Sequence, residues 1–296
     1  MFTASVILQL TIDGITRGAM YGLMAAGLAL IFGIVRVINM AHGELFMLGA
    51  YVMYFATAVV GLPAPLGILF ASAMMFVVGV AIERTLIAPV RGRLGERWLV
   101  DGYVLTIGIM IVLQNFALIV FGPRERGIAS LWPGRIEIGD IVISNERLAI
   151  LFGAIVAMAG LGLFLNKSTL GRAIRATAEH PDAARVMGID TSRIYALTFG
   201  IGSALAGAVG GLLISIYPAY PTVGGDILLK AFVVVIIGGL GRVGGAMLAG
   251  PLLGIIEAYA TAFAPGGWQN TITSLLVIVV LVLRPQGLFS RQVTRP

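Results

Sequence analysis

The stretch GRAIRATAEHPDAARVMGID, residues 171–190, is a polar, Arg-bearing segment in a chain that is otherwise strongly apolar. Apolar residues make up 58% of the 296-residue sequence and charged residues only 11%, whereas charged residues approach ~25% in soluble domains. The composition predicts an all-α polytopic membrane protein in which residues 1–296 form a single transmembrane domain. The polar segment lies in a predicted cytoplasmic loop, 167–193, where something outside the bilayer must dock.

The apolar runs between charge clusters predict the membrane crossings, because about 20 residues of helix span ~30 Å of hydrocarbon. About eight or nine runs qualify, and with short or broken segments the fold holds about 8–10 transmembrane helices. The run 227–240 reaches only ~21 Å and is followed by GGLGRVGG, which predicts a broken or partly re-entrant pair. The predicted spans are 15–35, 45–60, 66–87, 100–121, 148–165, 194–216, 227–240, 246–263 and 272–283.

Clusters of Lys and Arg in short loops predict which loops are cytoplasmic. The net charge of +6 therefore reflects membrane topology, and no nucleic-acid partner is predicted. The side of the N-terminus stays open, because the segment 5–17 either crosses the membrane separately or does not. The clusters are Arg84, Arg91, Arg93 and Arg97; Lys167, Arg172, Arg175, Arg185 and Arg193; and Arg284, Arg291 and Arg295.

The segment 122–147 is the largest predicted external loop. It contains RIEIGDIVIS, in which alternating isoleucines flank Gly139 and Asp140, a pattern typical of a small β-hairpin. The loop is either a solvated connector or a docking surface for an extracytoplasmic partner.

Several kinds of chemistry are excluded by composition. The chain has no cysteine and only two histidines, so neither a metal site nor a cofactor is predicted. A phosphate-binding loop needs GxxxxGK[ST], but the only lysines, Lys167 and Lys230, follow Asn166 and Leu229. The chain is therefore not an ATP-hydrolysing enzyme, and energy for any active process must come from a partner or a gradient.

Within the polar segment, residues 181–187 predict a helix of about two turns. Pro181 suits a first helical position and Gly188 supplies the stop. Small or apolar side chains (Ala183, Ala184, Val186, Met187) stand beside Asp182 and Arg185. Such a helix suits a groove in another protein, and equally an amphipathic connector at the membrane interface.

A second polar group interrupts the apolar sequence at Asn39-Met40-Ala41-His42-Gly43-Glu44. The helix start behind Asn39 and His42 offers free N–H groups that can attract a carboxylate, as broken helices do in transporters. Alternatively, Asn39 is a helix cap, Glu44 stabilises the first turn, and His42 with Arg36 marks the cytoplasmic interface.

Other polar residues fall within or beside the predicted spans. Asp226 and Lys230 are spaced to pair on one helical face, whereas Glu257 has no local partner, so it is either a functional intramembrane carboxylate or a structural hydrogen-bonding group. Gln114 and Asn115 are expected to hold helices together. The segment YPAYP, residues 217–221, is expected at the outer face, as an interfacial anchor or part of a gate.

Three stretches together resemble the LivH-type permease of branched-chain amino-acid ABC importers. They are GLALIFGIVRVINMAHGELFMLGAY (27–51), EHPDAARVMGID (179–190) and ILLKAFVVVIIGGLGRVGGAMLAGPLLG (227–254). They occur in the order typical of the family, and the resemblance spans nearly the whole chain. It implies the ABC importer permease fold in the lipid of a bacterial inner membrane, with a second homologous permease, hetero- or homodimeric, two cytoplasmic ABC ATPases and a periplasmic solute-binding protein.

The resemblance also implies site residues. Residues 179–190 would form the helix that couples to the ATPases, with Ala183 and Ala184 allowing close approach and Arg185 pairing with an ATPase carboxylate. Independently of the resemblance, the polar residues described above predict a substrate path that includes Asn39, His42, Gly43, Glu44 and Glu257. The full coupling set is Glu179, His180, Pro181, Asp182, Ala183, Ala184, Arg185 and Gly188.

The cargo stays open at this stage. Leucine, isoleucine and valine are the first candidates, and urea or short-chain amides carried by related permeases are the second. A stand-alone small-solute channel predicts passive flux without partners, and an ion-coupled carrier, with Glu257 or Glu44 as its titrating group, predicts loss of uptake with the ion gradient. A loose match of IFGIVRV (31–37) to IGGLGRV (237–243) is given no weight, because both would face the cytoplasm.

Overall fold

The computed structural model describes residues 4–94, 98–263, 268–284 and 286–289, so Arg97, Arg291 and Arg295 lie outside the described residues. A π-helical segment, Phe55–Val59, extends α2, and another, Glu83–Ile87, joins α3 to α4. The helices are α1 (Ala4–Val35), α2 (His42–Tyr54), α3 (Ala64–Ile82), α4 (Ala88–Leu94), α5 (Trp98–Phe121), α6 (Asn145–Lys167), α7 (Thr169–Glu179), α8 (Pro181–Val186), α9 (Thr191–Leu213), α10 (Val223–Gly238), α11 (Val243–Phe263) and α12 (Trp268–Leu283). The strands are β1 (Arg135–Ile138) and β2 (Ile141–Ser144).

Six helical stretches in the described chain are long and apolar enough to cross a membrane: Ser5–Val35, Ala64–Gly92, Val100–Phe121, Asn145–Lys167, Thr191–Leu213 and Val243–Phe263. The predicted all-α polytopic class is confirmed. The segment 5–17 is no separate crossing, because α1 is one continuous helix of 32 residues. Of the pair predicted to be broken or re-entrant on either side of GGLGRVGG, the run 227–240 corresponds to α10, a helix of 16 residues, whereas 246–263 falls within the membrane-length helix α11.

The helices divide into a central set and a peripheral set. In the most apolar 18-residue stretch of each helix, 89% of α1 and 78% of α9 is buried, whereas only 17% of α5 is buried. Hence α1 and α9 form the centre of the bundle, and α5 presents most of its apolar surface outward, as a lipid-facing helix does.

Glycines bring the central helices into backbone contact. A Cβ on Gly18 of α1 would lie 2.5 Å from the carbonyl oxygen of Gly250 in α11, and Gly14 meets α11 one turn away, at Ile255. Such close approach allows dispersion forces to hold helices together in lipid, where no hydrophobic effect drives association.

The packing relates α1–α3 to α9–α11 as two copies of one unit. The helix α1 packs along α11 as α9 packs along α3, and a Cβ on Gly27 of α1 or Gly202 of α9 would lie 2.9 Å from the other's carbonyl oxygen. Since α7 and α8 lie near both the end of α1 and the start of α9, the copies run in opposite directions. The relation is an inverted repeat, and it does not rest on the 31–37 and 237–243 match.

The predicted hairpin in the segment 122–147 is confirmed. Strands β1 and β2 pair antiparallel, with Ile136 opposite Ile143. The Ser144 hydroxyl accepts a hydrogen bond from the Arg147 N–H and so caps α6. An ion pair between Arg147 and Asp13 fixes this end of α6 against α1.

Candidate functional site

The predicted cytoplasmic helix is present as α8. Pro181 occupies its first turn, Met187 is its C-cap, and Gly188 adopts a left-handed φ of +83° that ends it. Glu179 ends α7, and His180 is the extended junction between the two helices, with φ −142° and ψ 91°. The sequence-based boundaries and the glycine stop are therefore confirmed.

The exposed face of α8 differs from the one expected. Ala184 is only 4% exposed and packs against its own chain, so it cannot provide close approach to a partner; Ala183 is exposed. The side chains that protrude are Val186, 87% exposed, and Met187, 81% exposed. An adjacent pair of apolar side chains at the tip of a polar segment is the feature that a partner groove would bury.

Arg185 also has partners within this chain. Its Nη1 donates to Asp182 Oδ1 at 3.1 Å and its Nε donates to Thr191 Oγ1 at 3.0 Å. Thr191 is the first residue of α9, and the Asp190 carboxylate caps that helix by accepting from the Arg193 N–H. Arg185 thus fixes α8 to the start of a central helix, a role that sequence spacing did not predict.

Two further contacts connect this region to the bundle. Arg36, which follows α1 with a φ of 57°, donates to the Ala178 carbonyl oxygen of α7 at 3.3 Å. Near the start of α9, the Tyr195 ring lies under the Arg91 guanidinium, 3.8 Å from the ring centroid, and Arg91 pairs with buried Glu83 at 2.9 Å. These contacts join α7 to the residue that follows α1, and the start of α9 to α4 and the segment Glu83–Ile87 that follows α3.

The group Asn39–Glu44 lies deep in the bundle and not at the cytoplasmic end. His42 Nε2 is 3.3 Å from the Met24 carbonyl oxygen, and Met24 stands eleven residues, about 16 Å, before the end of α1. In the other direction, Tyr51 lies nine residues, about 14 Å, along α2 from His42. The ring of Tyr51 stacks on that of Phe121, which is the last residue of α5. Both distances place the start of α2 far from either end of the bundle, at the depth of the middle of α1, and this burial does not support the expectation that His42 with Arg36 marks the interface.

The start of α2 meets the start of α10 at this depth. Gly43 and Gly224 are in backbone contact, and a Cβ on Gly224 would also lie 3.1 Å from the Glu44 nitrogen. Two half-helices that begin near mid-membrane and meet at their N-termini are the arrangement in which transporters bind substrates. In this conformation the glycine contact closes the space between them. We call this place the crossing, defined by Asn39, His42, Gly43, Glu44 and Gly224.

Three side chains at the crossing are buried with part of their polar surface unpaired. Asn39 Oδ1 accepts from the Ala41 N–H at 3.1 Å, so Asn39 stabilises the preceding turn while Ala41 takes the cap position. Glu44 Oε1 accepts from Gln114 Nε2 at 2.8 Å. Asn39 Nδ2, His42 Nδ1 and Glu44 Oε2 have no hydrogen-bond partner among the described residues, an arrangement that costs free energy unless another state or ligand satisfies it.

Glu257 has partners that sequence reasoning missed. Its carboxylate accepts from Lys230 of α10 and, at 2.8 Å, from Thr273 of α12, and it is 1% exposed. The expected pair of Lys230 with Asp226 does not form, because Lys230 turns toward α11. Of the two amides on α5, only Gln114 joins helices; Asn115 donates to its own helix, at the Ile111 carbonyl.

A cavity of about 370 Å³ lies between the crossing and the outer end of α5. Tyr220, in the connection between α9 and α10 and outside the helical spans, forms one wall; its partial burial, with the charges of Asp226 and Glu125, raises the pKa of its hydroxyl. The connection is held by antiparallel pairing of Ala219 with Arg126. The lining residues are Gln114, Asn115, Leu118, Pro123, Glu125, Tyr220, Pro221 and Thr222.

Comparison with known proteins places the chain among transport permeases. Residues 10–283 match the family described as the permease component of branched-chain amino acid transport systems. The chain belongs to this family. Within it, the chain is 37% identical to the high-affinity branched-chain amino acid transport system permease protein BraD of Pseudomonas aeruginosa, over 96% of both chains.

Two further relatives are also similar to the chain, to different extents. The LivH permease protein of Escherichia coli K12, of a high-affinity branched-chain amino acid transport system, is 34% identical over 96% of both chains. The autoinducer 2 import system permease LsrC of E. coli O9:H4 is 27% identical over 53% of this chain and 51% of its own length. No solved structure matches the chain. A multi-pass membrane permease agrees with both the family and the six membrane-length helices.

Proposed function

We propose that this chain is the permease subunit of an ATP-driven ABC importer that moves amino acids across a bacterial inner membrane. The proposed substrates are the branched-chain amino acids leucine, isoleucine and valine. The observation that carries the proposal is identity of 37% and 34%, over 96% of the chain, to permeases named for that transport. The near-complete coverage means that both halves of the inverted repeat are included in the similarity.

The proposal includes partners, because the sequence has no phosphate-binding loop. Two cytoplasmic ABC ATPases would bind at α8, a second homologous permease would complete the membrane domain, and a periplasmic solute-binding protein would deliver substrate. The protruding pair Val186 and Met187 supports the ATPase site. The remaining coupling residues have supporting roles: Pro181 and Gly188 set the ends of α8, and Arg185 joins it to α9.

Closure of the ATPases on ATP would move α8 as a rigid element. The Arg185–Thr191 contact transmits the movement to α9, which packs against α1, α2 and α3. A tilt of α9 would change the packing at the crossing, where α2 and α10 meet at Gly43 and Gly224. Packed helices switch between discrete arrangements, so the path through Asn39, His42, Gly43 and Glu44 would open to one side at a time.

The proposal is tested by reconstitution. The chain, co-purified with its partner subunits, is placed in proteoliposomes with ATP inside and leucine-loaded binding protein outside. We expect leucine to accumulate with ATP and not with a non-hydrolysable analogue, and excess isoleucine or valine, but not urea, to compete. Leucine flux that is equal without ATP would identify a channel, and flux abolished by a protonophore while ATP remains would identify an ion-coupled carrier; either contradicts the proposal.

A further inference from the structure

Asp226 is an exposed carboxylate near the middle of the membrane. It lies in the first turn of α10, two residues after Gly224, whose backbone contacts Gly43 at the crossing. Its side chain points away from the core of this chain. Within the described residues it forms no hydrogen bond and no ion pair, and Lys230, one turn later, is bound to Glu257 instead.

Hydrocarbon cannot be the environment of this carboxylate. An ionised side chain at mid-membrane costs several kcal/mol in lipid, and such residues face a bundle interior or a water-filled cavity. Because Asp226 does not face the interior of its own bundle, the face of α10 that carries it must border water or another protein.

The surroundings of Asp226 indicate water. It lies four residues after Thr222, in the first turn of α10, and Thr222 lines the cavity that also contains Gln114, Asn115 and Glu125. Behind that wall, Gln114 donates to Glu44, a carboxyl that is fully buried and has one oxygen unpaired. The polar groups thus continue from the cavity to the crossing, along the direction in which a solute would travel.

The same face of α10 also offers an apolar contact. Leu229, three residues after Asp226, is 65% exposed, and residues three apart lie side by side on a helix. A carboxylate next to an exposed leucine matches an ammonium group next to an aliphatic side chain, which is the chemistry of a branched-chain amino acid.

We propose that Asp226 lines the translocation path and binds the ammonium group of the amino acid as it passes the crossing, with Leu229 contacting the aliphatic side chain. The inference rests on the proposed function for the identity of the substrate. The position of Asp226 in a water-filled path stands on the geometry alone.

Accessibility is tested first, and the cysteine-free sequence suits that test, because Asp226→Cys introduces a single thiol into this chain. The variant is expressed with its partner subunits and treated from outside with a membrane-impermeant methanethiosulfonate. We expect labelling at 226 that leucine-loaded binding protein with ATP reduces. The control is Phe152→Cys, because Phe152 is 70% exposed on the apolar face of α6, and it should stay unlabelled. An unlabelled thiol at position 226 would overturn the inference.

Recognition of the ammonium group is tested by transport. Asp226→Asn removes the charge and keeps the shape, and we expect leucine uptake to fall about tenfold or more, as for loss of a charged hydrogen bond, while ATPase stimulation by loaded binding protein persists. Asp226→Glu should retain most of the uptake. Equal uptake by wild type and Asp226→Asn would contradict the assigned role, whereas a wild-type complex that imports no amino acid would contradict the proposed function instead.

Discussion

The crossing and the tip of α8 are both polar interruptions of an apolar chain, but they are built in opposite ways. At the crossing, every named side chain is buried and the two half-helices touch through glycine backbones. At the tip, Val186 and Met187 are almost fully exposed, and the segment is joined to the bundle through Ala184, Arg185 and the cap at Asp190. The packing at the crossing is therefore formed within this chain, although three polar atoms there lack partners, whereas the tip presents an apolar surface suited to a partner.

Substitutions in these two regions should therefore have different effects. Changes to the glycine packing at the crossing should act on folding, because the chain itself forms that packing. Changes at the tip should leave folding intact and act on assembly.

The largest expected effect comes from a single methyl group at the crossing. In Gly43→Ala the added Cβ would overlap the Gly224 carbonyl, and because the backbone of α10 cannot move aside without repacking both half-helices, we expect little folded protein. Gly225→Ala is the matched control, since a Cβ there meets nothing within 4 Å. The two variants are heated, and the fraction that stays folded is measured by size-exclusion chromatography. Equal stability of the two variants would mean that α2 and α10 do not touch at Gly43.

The next effect tests the buried ion pair beside the crossing. Lys230→Met leaves Glu257 buried without its ammonium partner, which should cost about 3–5 kcal/mol. Lys230→Met/Glu257→Leu removes both charges and should recover most of the stability. A double variant no more stable than the single variant would show that the pair has a role beyond mutual neutralisation.

At the tip, Val186→Asp/Met187→Asp should leave the unfolding temperature unchanged, because neither side chain packs within the chain. The variant should lose bound ATPase subunits and ATP-driven uptake, since two charges would enter an apolar groove. Leu170→Asp, an exposed position on α7, serves as a control for added charge in the same loop. Retained ATPase binding by the double variant would move the docking site elsewhere.

The smallest expected effect concerns the end of α8. Gly188→Ala places a Cβ on a residue at φ +83° that meets no neighbouring atom, so only backbone strain of about 1 kcal/mol is expected. A small fall in the unfolding temperature, without loss of partners, would agree with a structural stop. A large loss of ATPase binding would instead make Gly188 part of the contact surface.

Sequence alone predicted the features that depend on local pattern. The hydrophobic runs identified the helices, the Pro181 and Gly188 spacing identified α8, and the short run 227–240 indicated a broken helix. The inverted repeat had a local signal too, since Gly43-Glu44-Leu45 at the start of α2 resembles Gly225-Asp226-Ile227 at the start of α10.

Features that depend on long-range packing could not be predicted. The depth of His42 could not be predicted, because Arg36 is only six residues away and hydropathy does not show that the chain turns back into the bundle. The partner of Glu257 is Lys230, which lies 27 residues earlier in α10. Helical spacing instead favoured a pair between Lys230 and Asp226. The burial of Ala184 and the exposure of Met187 follow from how α8 rests on α9, which spacing does not determine.

The central claim, that this chain works as the permease of an ATP-driven importer, is tested most directly by a pull-down from its native membranes. The tagged chain is extracted in mild detergent beside Val186→Asp/Met187→Asp, and the recovered subunits are identified by mass spectrometry. We expect ABC ATPases and a second permease to be recovered with the wild type, and the ATPases to be lost selectively from the variant. A well-folded wild-type chain recovered without either partner would contradict the claim.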